Sequence, residues 1–314
     1  MKLIFYLKGE NIDLAREEVL AITRSKDYKQ YDRILVLNTK RFNYSRLAFT
    51  KKVLKLVFIS GIKDLESNIK KVNWQRHYKN DFCVRSHDLD NENKIADLIW
   101  YKLKNPKVKL ENSSTRIEFF KQKNKIICGI LIEDVGLGFQ NRRPHQRPGF
   151  HPSSMIPKLA RACVNLSGIK EREKLYDPFC GTGGMLIEAG MIGCKIWGSD
   201  ISKDMLKKTE INLKDAKIKN YKIFEADATK SQVNCNAIVT DPPYGKSSAL
   251  YKKDRTKLYE EFLNNAYNYL HKGTKLVMVL PTTIKFKNPF KKVKTIDFFV
   301  HFSMTRRIYV MEKD

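Results

Sequence analysis

The chain has 314 residues, more than a single hydrophobic core usually serves, so two or three domains are expected. Its 60 Lys and Arg against 34 Asp and Glu give a formal charge of +26, spread over both halves, which makes a nucleic acid the leading partner. No run approaches the ~18 apolar residues needed to cross a bilayer, the apolar opening is too short for a secretory signal, and the six cysteines lack zinc-finger spacing. A cytoplasmic protein is expected, with reduced and mostly buried thiols, no membrane association and no metal.

In chain order, "KLIFYLKG", a helix around Asp13 to Arg24 with Leu14, Val19 and Ile22 on one side, "RILVLN" and "KLVFISG" predict an α+β domain over residues 1–72. A second α+β domain, residues 73–135, is expected from "DFCVRSH", a helix over Asn93 to Lys104 presenting Ile95, Leu98 and Ile99, and the strands "RIEFF" and "KIICGILIE". Then "VGLGFQNRRPHQRPGFHPSS" is rich in Gly and Pro and has no periodicity, so residues 136–150 are expected to be a linker. Its Arg142, Arg143 and Arg147 are candidate grips for RNA phosphate. The Lys-rich run from Lys285 to Lys294 is another RNA-facing candidate.

From residue 151 to 314 strand and helix alternate. "KLYDPF", "KIWGSD", "YKIFEAD", "NAIVTDPP" and "KLVMVLP" are separated by helical patterns such as Ser202 to Ala216 and Thr256 to His271. This predicts a Rossmann-like α/β domain with a parallel, doubly wound sheet. "IDFFVHF" and "RRIYVME" lie a turn apart and should close its edge as an antiparallel hairpin. Such sheets hold ligands at the carboxyl ends of their strands, where Asp177, Asp200, Asp227 and Asp241 fall.

The first of these opens "DPFCGTGGMLIEAG", a strand followed by a glycine turn that lets backbone approach a ligand before a helix begins near Met185. It lacks the Lys and Ser/Thr of a P-loop and the spacing of the dinucleotide fingerprint. Asp200 is placed to accept ribose hydroxyls, and Asp227 to accept from an adenine amino group.

In this order, "DPFCGTGG", "GSD", "EADA" and "DPPYG" resemble the motifs of S-adenosylmethionine-dependent amino-group methyltransferases. "RPGFHPSSMIPKLARACVNLSG" and "DFCVR" are similar to segments of the archaeal tRNA guanosine-10 N2-methyltransferases, the latter within their THUMP RNA-binding domain. One departure is "ENSS", Glu111 to Ser114, where the family usually has "NP". The resemblance implies S-adenosylmethionine held by Asp177, Phe179, Gly181, Thr182, Gly183, Asp200, Ile201, Asp227 and Ala228. It also implies tRNA as partner, a ferredoxin-like N-terminal domain and a THUMP domain after it, and leaves room for a small accessory subunit.

"VTDPPYG" then has a chemical reading. An exocyclic amine is a poor nucleophile because its lone pair is delocalised into the ring. The Asp241 carboxylate and the Pro242 carbonyl can each accept an N–H and return that pair to nitrogen. Pro242 and Pro243 stiffen the turn, Tyr244 offers a face for the extracted base, and Gly245 permits the bend. Methylation at pyrimidine C5 would need a nucleophilic cysteine, and no Pro-Cys pair is present. The expected reaction is N2-methylation of a guanosine in tRNA, foremost guanosine-10. The alternatives are guanosine-6 or a ribosomal guanine, adenine N6, or a non-catalytic RNA-binding protein.

Overall fold

The computed structural model describes residues 1–136, 138–244, 252–301 and 304–314, so Gly245 lies outside the described residues. Up to residue 135 the elements are β1 (Lys2–Leu7), α1 (Ile12–Thr23), β2 (Tyr28–Tyr31), β3 (Ile34–Asn38), β4 (Thr50–Gly61), α2 (Leu65–Lys71), β5 (Phe82–His87), α3 (Glu92–Trp100), β6 (Thr115–Gln122) and β7 (Lys125–Asp134). The chain divides into two compact units.

The first unit takes residues 1–12, 25–44 and 50–135. All its strands join one seven-stranded sheet in the order β2-β3-β1-β4-β7-β6-β5. Strand β4, twelve residues long, pairs with β1 on one edge and β7 on the other. A single sheet therefore runs across residue 72, where two domains were expected to meet. Ile95 and Ile99 of α3 and Ile69 of α2 pack with Trp74, Phe82 and Phe119 to form a core on one face.

The second unit takes residues 13–24, 45–49 and 136–314. Helix α1, expected in the N-terminal domain, thus belongs here, and its Glu18 supplies the reason. Glu18 is fully buried and accepts from the amides of Ala48 (2.8 Å) and Phe49 (2.9 Å) and from Asn165 Nδ2 (2.7 Å). A buried carboxylate requires such donors. The expected linker is also built in: it forms short 3-10 turns at Gln140–Arg142 and Pro144–Gln146 within this unit.

The remaining elements are α4 (Pro157–Leu166), β8 (Lys174–Asp177), α5 (Gly184–Met191), β9 (Lys195–Asp200), α6 (Lys203–Asp215), β10 (Tyr221–Glu225), β11 (Ala237–Thr240), α7 (Lys252–Tyr269), β12 (Lys275–Pro281), β13 (Lys292–His301) and β14 (Met304–Glu312). They form a seven-stranded sheet ordered β10-β9-β8-β11-β12-β14-β13, parallel from β8 to β12 and closed by the antiparallel β13–β14 pair. All five expected parallel strands and the expected hairpin are present. Helices α5 and α6 pack together against β8, β9 and β10. On the α7 side, Tyr259, Phe262, Leu263 and Ala266 pack against Tyr176, Ile238, Leu276 and Met278. The order reverses between β8 and β11, which opens a crevice at their carboxyl ends. All six cysteines are buried and unbridged, and no helix among the described residues is long and apolar enough to cross a membrane.

Candidate active site

Asp177 ends β8 and Thr240 ends β11, side by side at the crevice. The Thr240 hydroxyl donates to Asp177 Oδ1 (2.7 Å), and so does the Phe179 amide (3.2 Å). Asp177 is 2 % exposed. Burial pushes its carboxyl up to about 7, against the pull of these two donors. Asp177 braces the turn through Oδ1, the oxygen that takes both donors.

The turn itself is held from α6. Thr209 donates to the Gly181 carbonyl (2.6 Å) and Asn212 to the Thr182 carbonyl (2.9 Å). Thr182 is also hydrogen-bonded to the Ser154 hydroxyl (2.8 Å). Gly181 and Gly183 have φ of +52° and +81°, the region glycine alone enters freely. A Cβ built on Gly181 would find no atom within 4 Å, so the backbone there faces open space.

Around that opening stand the other expected cofactor residues. Asp200 Oδ2 accepts from the Gly181 amide (3.0 Å) and Oδ1 from the Ser202 amide (2.9 Å), which fixes the carboxylate and leaves lone pairs for further donors. Asp227, just past β10, accepts from the Thr229 amide (2.9 Å) and hydroxyl (2.8 Å). Burial works against its charge, but the Thr229 bonds and Lys230 outweigh it and hold this carboxyl below its ordinary value. Ile201 is exposed, Ala228 is buried, and Phe179 meets Phe262 edge-to-face at 5.2 Å. An open glycine backbone, with one carboxylate bound to its amide and a second past the next strand, fits the nucleoside of S-adenosylmethionine.

Beyond β11 lies the expected acceptor. Asp241 Oδ2 faces the Tyr244 hydroxyl (3.4 Å) and Arg306 Nη1 (3.3 Å), while Oδ1 is buried with no partner among the described residues. Burial pushes Asp241 up to about 7, opposed first by Arg306 and then by Tyr244. Burial also pushes the Tyr244 phenol up, so it stays a hydrogen-bond donor. Pro242 is buried, and the Pro243 carbonyl accepts from the Tyr259 hydroxyl at 2.6 Å, which ties the turn to α7. Sequence reasoning missed Thr240, Tyr259 and Arg306. The Arg306-Arg307 doublet inside an apolar strand was the one available sign of the last.

The three linker arginines separate. Arg142 forks onto Glu188 of α5 (2.9 and 3.1 Å), where Arg161 of α4 joins it (2.8 Å). Arg147 is buried, donates through Nε to the Arg142 carbonyl (3.1 Å), and leaves Nη1 and Nη2 unpartnered. Burial and the Glu188 pairing thus remove Arg147 and most of Arg142 from reach of a phosphate. Arg143 alone of the three is exposed. In the Lys285–Lys294 run, Lys291, Lys292 and Lys294 pair with Asp314, Glu312 and Glu17 respectively.

Residues 144–308 match the family model of the RMKL-like methyltransferase domain, so the second unit is a methyltransferase of that class. The chain is 34 % identical over 282 residues to a tRNA (guanine(10)-N2)-dimethyltransferase of Methanothermobacter thermautotrophicus, covering 85 % of this chain and 84 % of the relative. It is 32 % identical to the protein so named in Pyrococcus abyssi, covering 98 % and 99 %. Among solved structures it resembles TrmN from Thermus thermophilus, with a TM-score of 0.52 and 16 % identity over the full length of both chains, a likeness of fold. The chain belongs to the family of archaeal tRNA (guanine(10)-N2)-dimethyltransferases.

Proposed function

We propose that this protein transfers a methyl group from S-adenosylmethionine to N2 of a guanosine in tRNA, foremost guanosine-10. The observation that carries this reading is the Oδ1 of Asp241, buried and unpartnered among the described residues, on the strand next to the one that leads into the open glycine turn. A buried carboxylate oxygen without a donor is costly unless a ligand supplies one. An exocyclic amine is such a donor, and the relatives act on one.

The bound cofactor supplies an electrophilic methyl on a sulfonium. The chain's residues do the rest. Asp241 Oδ1 accepts one N–H of the amine and draws its lone pair out of conjugation. That lone pair would then take the methyl carbon, with sulfur keeping the pair of the bond that breaks. The surplus proton leaves nitrogen for Asp241 or water. Asp200 and Asp227 orient the nucleoside, and the turn fixed by Thr209 and Asn212 keeps the reacting atoms aligned. A second methyl on the same nitrogen needs no new group, in keeping with the dimethyl products named for the relatives.

Residues 73–135 serve in this reading as a THUMP domain that holds tRNA by shape, with residues 1–72, apart from 13–24 and 45–49, as its ferredoxin-like companion. The basic excess of +26 supports a polyanionic substrate, and a cytoplasmic setting follows from the tRNA substrate. The test is mass spectrometry of nucleosides from tRNA treated with the chain alone and with cell extract. N2-methylguanosine mapped to position 10 is expected. N6-methyladenosine instead would overturn the reading, and a product mapped to position 6 would move the target.

A further inference from the structure

Strand β14 runs antiparallel to its neighbours, so its first residues lie where the parallel strands end, and Arg306 stands opposite Pro281 at the close of β12. From there its nearly buried guanidinium reaches Asp241, with Nη1 3.3 Å from Oδ2 and Cζ 5.2 Å from the centre of the Tyr244 ring. Its Nε is buried without a partner. A side chain from the last strand thus touches both groups assigned to the amine and the base. It occupies one carboxylate oxygen and leaves the other bare.

We propose that Arg306 is a positioning residue for methyl transfer: it clamps Asp241 Oδ2 so that Oδ1 meets the amine, and covers one face of Tyr244 so that the base stacks on the other. The proposal rests on the amino-group methylation reading above. A carboxylate free to rotate would divide its acceptors among several directions, and a fixed positive neighbour holds one. The same charge pulls against the burial that pushes the Asp241 carboxyl up. The titratable groups facing Asp241 among the described residues are Arg306 from β14, Tyr244 on its own turn, Asp177 from β8, Cys163 from α4 and Tyr259 from α7. Arg306 is the cation in that set.

The experiment compares wild type, R306Q and R306K by three measurements: calorimetric binding of S-adenosylhomocysteine, melting temperature, and the pH dependence of methyl transfer to tRNA. R306Q should bind S-adenosylhomocysteine within about threefold of wild type and lose about 100-fold in kcat with little change in KM. Its acid limb should move to higher pH, because an isolated buried carboxyl ionises later. R306K, which returns the charge without the fork, should restore the limb and recover part of kcat. If R306Q melts early, R306K carries the comparison. Wild-type kcat and an unmoved limb in R306Q would overturn the proposal, as would R306K matching R306Q in both. A wild-type chain that binds S-adenosylhomocysteine yet methylates no tRNA would overturn the function on which the proposal stands.

Discussion

In the proposed reaction Asp241 must be ionised to accept from the amine, and burial has pushed its carboxyl up to about 7. Activity of the free enzyme should therefore rise as pH climbs through about 7 and flatten above, read from kcat/KM on tRNA. Asp241→Asn should lower methyl transfer roughly a thousandfold while S-adenosylhomocysteine still binds, as calorimetry would show. An active Asp241→Asn enzyme would move the chemistry elsewhere. At this scale the sequence was legible where function is written in consecutive residues. "DPPY" holds the proposed acceptor and ring, and "GSD" the carboxylate bonded to the glycine turn. It was silent on Arg306, which is 65 residues away and arrives only because β14 reverses direction. It was also silent on Thr240, which with the Phe179 amide engages one oxygen of Asp177.

The glycine turn and the helices beside it act as one element. Gly181→Val would put a branched side chain at positive φ and into the open space beside the turn, costing about 1–2 kcal/mol of strain and removing the cradle. The expected outcome is a folded protein with no measurable S-adenosylhomocysteine binding, checked by circular dichroism and calorimetry together. Glu188 is a different kind of support. It is fully buried in α5 and is the carboxylate held by Arg142 and Arg161. Glu188→Ala should destabilise the protein by about 3–5 kcal/mol, measured by urea unfolding, because it strands buried guanidinium groups. Strands with strong apolar runs were read correctly from sequence. The strand β2, "YKQY", and the helix α2, "LESNIKK", were not, since four and seven residues carry too little periodicity. Pairing with β3 makes the former a strand. The linker arginines looked solvent-borne because nothing local announces that Glu188 lies 46 residues ahead.

At the scale of the whole molecule, the sequence showed its two kinds of architecture but not how the chain is shared between them. Composition and alternation marked a strand-rich N-terminal part and a doubly wound C-terminal part. Residues 13–24 and 45–49 nevertheless belong to the second unit, an assignment made by Glu18 and its donors that no local pattern reveals. A fragment of residues 136–314 should therefore fail to fold cooperatively, while the full chain melts in a single sharp transition for this unit. Scanning calorimetry of both decides it, and a fragment melting like the full chain would refute the assignment.

Helix α1 also has a history imposed on it by synthesis. Glu18 emerges from the ribosome 147 residues before Asn165, although its neighbours β1 and β3 can already pair. For that interval the helix is a stretch of nascent chain whose carboxylate waits for an amide not yet made, so the catalytic half is completed by a piece translated first.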